Sequence, residues 1–208
     1  MYRACKRAFD FVLSGFLLVL LTPVWLVIAL LIKLDSKGPV FYVHSVVGRH
    51  GIEFPMYKFR SMLPNSRRDD HTADLERNFL TREPTAVDGK GPIFKTALTD
   101  QSRITRVGRF LRRSSLDELP QVWNVFRGDM SFVGPRPSLP DEVRLYNEQQ
   151  KGRFAVRPGI TGLYQVTARN RVPIEDMIRL DLEYVSRQSL WLDVKILLKT
   201  PVAMASGV

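Results

Sequence analysis

Apolar residues run without a charged side chain from Phe11 to Ile32. As one straight helix they would extend about 33 Å, close to the roughly 30 Å hydrocarbon core of a bilayer. Two features argue against a plain crossing. Thr22-Pro23 falls in the middle, where proline removes a backbone hydrogen bond and kinks a helix. Cations flank both ends, Arg3, Lys6 and Arg7 before the run and Lys33 and Lys37 after it. A crossing helix usually carries its positive bias on one side only. The pattern suits a segment that enters, bends at Thr22-Pro23 and leaves by the same face. Kinked crossing helices are common enough to keep a true span open. The run is long for a signal sequence, and no small-residue cleavage site follows it.

Downstream, the period changes. Ser36-Lys37-Gly38-Pro39 ends the apolar segment. Val40 to Val43 predicts a strand. After a turn at Gly48-Arg49-His50-Gly51, Ile52, Phe54 and Met56 alternate with Glu53 and Pro55. The two strands make a hairpin, with Pro55 in an edge position. Residues 64–99 are charged and poor in apolar side chains, and read as a surface insertion with one short helix around Ala73 to Leu80. Helical spacing returns with Ile104, Val107, Phe110 and Leu111, and again with Leu119, Trp123 and Phe126. Gly128 to Pro137 and Arg157 to Gly162 are turns stiffened by proline. Leu163-Tyr164-Gln165-Val166 reads as a short strand. Pro173 opens a last pair of helices, the second rich in Leu and Trp with Lys195 and Lys199 interleaved. That last helix fits a membrane interface or an ordinary core equally well. The fold class expected is α+β, mostly helical, with a small hairpin and amphipathic helices around a core.

Composition narrows the partners. The chain has 208 residues, 45% of them hydrophobic, enough for a core. A formal charge of +10 points to anionic partners: nucleic acid, phosphate substrates or an acidic membrane surface. One cysteine, Cys5, excludes an internal disulfide, and His44, His50 and His71 make no zinc pattern with it. No nucleic-acid-binding motif is recognisable. A membrane-tethered basic protein that binds nucleic acid or acidic lipid stands as the alternative reading.

The chemistry concentrates in Arg112-Arg113-Ser114-Ser115-Leu116-Asp117-Glu118-Leu119-Pro120-Gln121. Ser115 and Glu118 have the spacing of a capping box, which puts both carboxylates in a first helical turn. There the helix dipole favours ionised side chains and incoming phosphate. An ionised Asp117 could attack phosphorus or bind a hard metal ion. Acids also gain a few tenths of a kcal/mol in first turns without any chemistry. Pro120 sits one turn inside the proposed cap, so a helix start a few residues later is a second option. Cations that could meet phosphate are Lys58 and Arg60 at the end of the second strand, Arg112, Arg136 held between two prolines, and Arg157.

These motifs together resemble the bacterial sugar transferases, the monotopic polyprenyl-phosphate glycosyl-1-phosphate transferases. The resemblance rests on Lys6 to Asp10, Tyr57 to Met62, Arg112 to Gln121, Trp123-Asn124-Val125, Gly128 to Pro137 and Val156 to Gly162. It implies transfer of a sugar 1-phosphate from a UDP-sugar to undecaprenyl phosphate, with release of UMP, at the inner face of the bacterial cytoplasmic membrane. It implies Asp117 as nucleophile through a covalent phosphosugar intermediate, Glu118 as the residue that orients or tunes it, and Mg²⁺ at Asp117. Lys58, Arg60, Arg112, Arg136, Arg157 and Gln165 are the expected substrate contacts. Residues 1–35 would be a re-entrant membrane helix broken at Thr22-Pro23, and 36–208 the catalytic domain. Membrane phospholipid is an expected partner, and an interfacial helix leaves a homodimer open. The insertion is longer than in the smallest members and resembles the catalytic domains of larger ones. The chain is therefore read as a stand-alone enzyme or as a fragment of a longer one. The sugar is not legible.

Overall fold

The computed structural model describes residues 2–63, 103–168 and 173–205. The insertion at 64–99, with its predicted short helix, lies outside the described residues.

Helix α1 (Tyr2–Leu20) stops where the sequence places a break, and α2 (Thr22–Asp35) departs from it at 59°. Pro23 has no N–H for the carbonyl one turn before it. The Thr22 hydroxyl donates to the Leu18 carbonyl at 2.7 Å, so a side chain takes over part of the interrupted backbone bonding. Among the described residues no single helix is long and apolar enough to cross a membrane; the bent pair together has that length and composition. Phe16, Val19, Leu26, Val27, Leu30 and Leu34 are exposed along it. An apolar surface this extensive is uncommon on a soluble monomer.

Strands β1 (Phe41–Val47) and β2 (Glu53–Phe59) form the predicted antiparallel hairpin, with Tyr42 opposite Lys58 and Ser45 opposite Pro55. Helix α3 (Arg106–Ser114) follows the undescribed stretch. Its start is capped twice: the Thr105 hydroxyl accepts the Gly108 N–H at 2.9 Å, and the Asp35 carboxylate accepts the Val107 N–H at 2.9 Å. The last residue of α2 thus fixes where α3 begins. Leu111 is buried as the periodicity requires, but Phe110 is 61% exposed and does not join that stripe. The helix spans only nine residues and packs against α2, so one narrow face is covered.

Helix α4 (Gln121–Arg127) buries Val122, Asn124 and Val125, while Trp123 and Phe126 share the predicted face without being buried. Those two rings stack on each other at 5.7 Å, and Phe126 stacks on Phe11 at 4.8 Å, so the aromatic face is turned towards α1. The two proline-stiffened turns contain a strand pair. Strand β3 (Ser131–Val133) runs parallel to β4 (Gly159–Thr161), with Ser131 opposite Gly159 and Val133 opposite Thr161. Gly134 and Gly159 sit where the two chains approach closest, and a Cβ on either would overlap the facing backbone. Between them lie α5 (Pro140–Arg144) and α6 (Glu148–Lys151). Leu163 to Val166, expected as a strand, lie in a short helix, α7 (Leu163–Thr167): Gly162 leads into a turn closed by the Val166 N–H on the Gly162 carbonyl. A segment of four residues with three apolar side chains does not distinguish the two conformations. Helices α8 (Ile174–Arg187) and α9 (Leu190–Ala205) close the fold as predicted, with Met177 and Ile178 buried and Trp191, Leu198 and Val202 exposed.

The main core gathers Val46, Met56, Val125, Met130, Val133, Tyr184 and Ile196 from six elements. A second cluster, Ile28, Ile32, Phe59 and Leu111, joins α2 to the hairpin and α3. The Asp117 turn rests on this second cluster.

Candidate active site

Asp117 and Glu118 lie on a single 3-10 turn, Leu116–Glu118, between α3 and α4. The capping box expected from Ser115 does not form. Ser115 ends α3 in the left-handed region, φ 57° and ψ 17°, and its side chain caps nothing. Pro120 explains the difference. It has no N–H to give the Leu116 carbonyl, which accepts instead from Leu119 at 3.2 Å, and the chain tightens into a 3-10 turn. The α-helix begins only at Gln121. A left-handed non-glycine residue carries about 1 kcal/mol of strain, and strain of this sort concentrates at functional sites. Leu116 and Leu119, on either side of the dyad, pack against the Ile28–Ile32–Phe59 cluster. The two carboxylates are therefore held over the apolar cluster that α2, the hairpin and α3 share.

Lys58 reaches the dyad from the hairpin, and its ammonium donates to Glu118 at 2.9 Å. Burial opposes the charge of Lys58, but Glu118 and Asp117 outweigh it and hold its proton more tightly than usual. The carboxyl of Asp117 is pushed up to about 6, first by desolvation and then by the charge of Glu118, against the pull of Lys58 and Arg112. Asp117 is thus a poorly solvated acid with a like charge beside it, a condition that favours a cation or a phosphate-bound metal.

What holds Lys58 in register with the dyad is Asn124, a residue the sequence motif contained without revealing its task. Its side chain is fully buried. The amide donates to the Pro55 carbonyl at 2.7 Å and accepts the Tyr57 N–H at 3.1 Å, so it completes the free edge of β2. Its own carbonyl accepts from Gly128, Asp129 and Met130. One side chain thereby locks α4, which follows the dyad, to the strand that carries Lys58.

Arg136 stands on the same side, near enough that its charge acts on Lys58. Glu142 pairs with it at 3.3 Å and also accepts the Leu139 N–H at 2.9 Å. Glu142 dominates the field at Arg136 and keeps it protonated. Fully buried Arg153 supports the loop from beneath: it donates to the Arg136 carbonyl at 2.8 Å, to the Tyr146 hydroxyl at 2.9 Å and to Asp181. Glu142, Arg153 and Asp181 were not singled out in the sequence. Glu142 was detectable, because it stands three residues after a turn and beside a proline helix start, whereas the other pair is joined only in three dimensions.

Two expected substrate contacts, Arg60 and Arg157, are engaged away from the dyad. Arg60 is 5% exposed and its guanidinium donates to the Lys37 carbonyl at 2.6 Å and to the Ser36 carbonyl at 2.8 Å. It ties the end of α2 to β2. Arg157 donates to the Gly128 carbonyl at 2.7 Å and feels Arg7, Arg49, Asp10 and Asp129, not the dyad. Gln165 lies in α7 beside Gly162, with its side-chain oxygen buried and unbonded among the described residues. The charged residues brought together are Asp117, Glu118, Lys58, Arg112 and Arg136.

No group of three or more acidic, His or Cys side chains with metal-site geometry occurs among the described residues. The donor set nevertheless fits Mg²⁺, which commonly takes one or two carboxylates and completes its shell with water and substrate phosphate. Lys58 engages Glu118, so Asp117 would be the carboxylate to hold such an ion.

The family model described as bacterial sugar transferase matches residues 1–207. The undecaprenyl-phosphate galactose phosphotransferase of Salmonella typhimurium is 42% identical over 198 residues, which cover 95% of this chain and 40% of that protein. The exopolysaccharide production protein ExoY of Sinorhizobium fredii is 38% identical over 195 residues, 94% of this chain and 83% of ExoY. The undecaprenyl-phosphate glucose phosphotransferase of Komagataeibacter xylinus is 40% identical over 206 residues, 94% of this chain and 35% of that protein. Against the Salmonella protein and the UDP-galactose-lipid carrier transferase of Erwinia amylovora, the chain spans 40% of the relative's length.

Proposed function

The chain belongs to the bacterial sugar transferase family, and from that premise we propose that it transfers a sugar 1-phosphate from a UDP-sugar to undecaprenyl phosphate. The observation that carries this reading is Asp117 itself. It is a crowded carboxyl on a strained turn, flanked by Glu118 and set among Lys58, Arg112 and Arg136. Phosphoryl transfer asks for charge neutralisation and alignment more than for elaborate covalent machinery.

In the first step an oxygen of ionised Asp117 attacks the phosphorus that bears the sugar. The bond from that phosphorus to the UMP oxygen breaks, and UMP leaves with the electron pair. In the second step an oxygen of undecaprenyl phosphate attacks the same phosphorus. The bond to Asp117 breaks, which restores the carboxylate and yields the lipid diphosphate sugar. Neither step requires a proton from solvent. Lys58 holds Glu118 in place, and Glu118 keeps Asp117 electron-rich through its charge. Arg112 and Arg136 neutralise the diphosphate, with Arg136 oriented by Glu142. Mg²⁺ held by Asp117 would supply Lewis-acid charge to the diphosphate oxygens.

The bent pair α1–α2 is read as a re-entrant membrane segment at the cytoplasmic face of the inner membrane. The apolar surfaces of α1, α2 and α9 support this placement, as does the packing of Leu116 and Leu119 on the cluster to which α2 contributes Ile28 and Ile32. A lipid substrate that stays in the bilayer then meets Asp117 at headgroup depth. Asp117→Asn should abolish UMP release from UDP-sugar plus undecaprenyl phosphate, and EDTA should stop the native enzyme until Mg²⁺ is restored. A trapped phosphosugar adduct should map to Asp117. An adduct on another residue, or transfer in one direct step, would overturn the mechanism.

A further inference from the structure

Away from the dyad, a cavity of about 40 Å³ opens between the start of α1, the β1–β2 turn and the chain before β4. That volume accommodates about three waters or one tetrahedral oxyanion. Its walls carry Arg3, Lys6, Arg7, Arg49 and Arg157 against a single carboxylate, Asp10. Asp10 accepts the Phe132 N–H at 3.2 Å. Lys6 is paired with Asp193 at 2.8 Å, and Arg7 spends its fork on the Val125 and Phe126 carbonyls at 2.7 and 2.8 Å. Arg49 is different: its Nε is buried and has no hydrogen-bond partner among the described residues. Burial first, then the neighbouring charges of Arg7 and Arg49, pull the Arg157 guanidinium below its ordinary range. The cavity thus combines crowded like charges, an orphaned buried donor and room for an anion.

We propose that this cavity binds a phosphate group, with Arg49 and Arg157 as its principal donors. Guanidinium matches phosphate oxygens in a bidentate way, and an anion relieves the repulsion among the cations that line the cavity. The site is separate from Asp117. The hairpin turn that bears Arg49 is five residues of β2 from Lys58, roughly 17 Å along an extended strand. Arg7 contacts the last carbonyls of α4, whereas the dyad precedes its first residue. Exposed Phe9, Phe11 and Val12 continue from Arg3 and Arg7 along α1. With that face in a bilayer, the cavity lies at the depth of phospholipid headgroups. Inorganic phosphate offers the same chemistry from solution.

The test uses the full chain in phosphate-free maltoside micelles, without any sugar donor, so its outcome is independent of the transferase reading. Binding of inorganic phosphate and of dihexanoyl phosphatidylglycerol is measured by titration calorimetry. Arg49→Gln should weaken binding about tenfold, the cost of a charge-assisted hydrogen bond. Arg144→Gln removes the same charge from an exposed side chain that does not line the cavity and should change nothing. Tighter binding of the lipid assigns the site to headgroups; equal or tighter binding of inorganic phosphate assigns it to the soluble anion. If Arg49→Gln does not fold, judged by its melting curve, Arg3→Gln replaces it and should weaken binding at least severalfold. No binding to the native chain, or equal losses in the cavity variant and Arg144→Gln, would overturn the proposal.

Discussion

Replacing Asp117 by Asn should stabilise the protein at neutral pH while removing its chemistry. The carboxyl of Asp117 rises from an ordinary 3.8 to about 6, because the fold desolvates it and sets Glu118 beside it. A carboxyl whose folded value exceeds its unfolded one helps the fold while it is protonated, below the unfolded value. That help is lost as pH rises through the folded value near 6. At pH 7.5 ionised Asp117 therefore costs stability. Each tenfold in proton affinity is worth about 1.4 kcal/mol, and partial exposure screens some of it, leaving about 1 to 3 kcal/mol. For a chain of this size that is a rise of about 2 to 10 °C in melting temperature. The comparison is made on native and Asp117→Asn protein in EDTA, in detergent, at pH 7.5 and at pH 4. The gain should appear at pH 7.5 and nearly vanish at pH 4, where the native side chain is already neutral in the fold. Added Mg²⁺ should narrow the gap at pH 7.5 by favouring the ionised native site. A variant less stable than native at pH 7.5, or equally favoured at both pH values, would refute the argument that Asp117 is held under electrostatic load.

Glu118→Gln should lower the midpoint at which the Asp117 carboxyl titrates, since it removes the like charge that helps hold it near 6; carboxyl carbon NMR of the metal-free protein reads this directly. Asn124→Ala leaves the Pro55 carbonyl and the Tyr57 N–H without a partner in the core, and should cost about 2 to 4 kcal/mol. It should lower turnover as well, because Lys58 loses its register with the dyad, and a melting temperature within 2 °C of native would contradict it. Site-specific labels near Tyr2 and Ala203 should be accessible from the same side of sealed membranes, and accessibility from opposite sides would defeat the re-entrant reading.

Local chemistry made much of this protein legible in one dimension. The break at Thr22-Pro23 follows from a missing N–H, and the hairpin from alternation around a glycine turn. The carboxylates were conspicuous because Asp117 and Glu118 are neighbours in the chain behind a block of arginines. Pairings between distant segments were not legible. Arg60 and Arg136 look alike as cations beside strands and prolines, yet one closes the end of α2 and the other faces Lys58. Only the folded chain reveals which carbonyl or carboxylate each one meets. Asn124 reads as an ordinary helix residue until β2 lies against it, and two stiff turns become a parallel strand pair only when Gly134 and Gly159 touch. The capping box failed, and the later helix start that Pro120 already offered in the sequence is the one that forms. Sequence determined what each segment could do with its own backbone. Tertiary structure decided which buried polar groups would satisfy one another, since their desolvation has to be offset by partners far away along the chain.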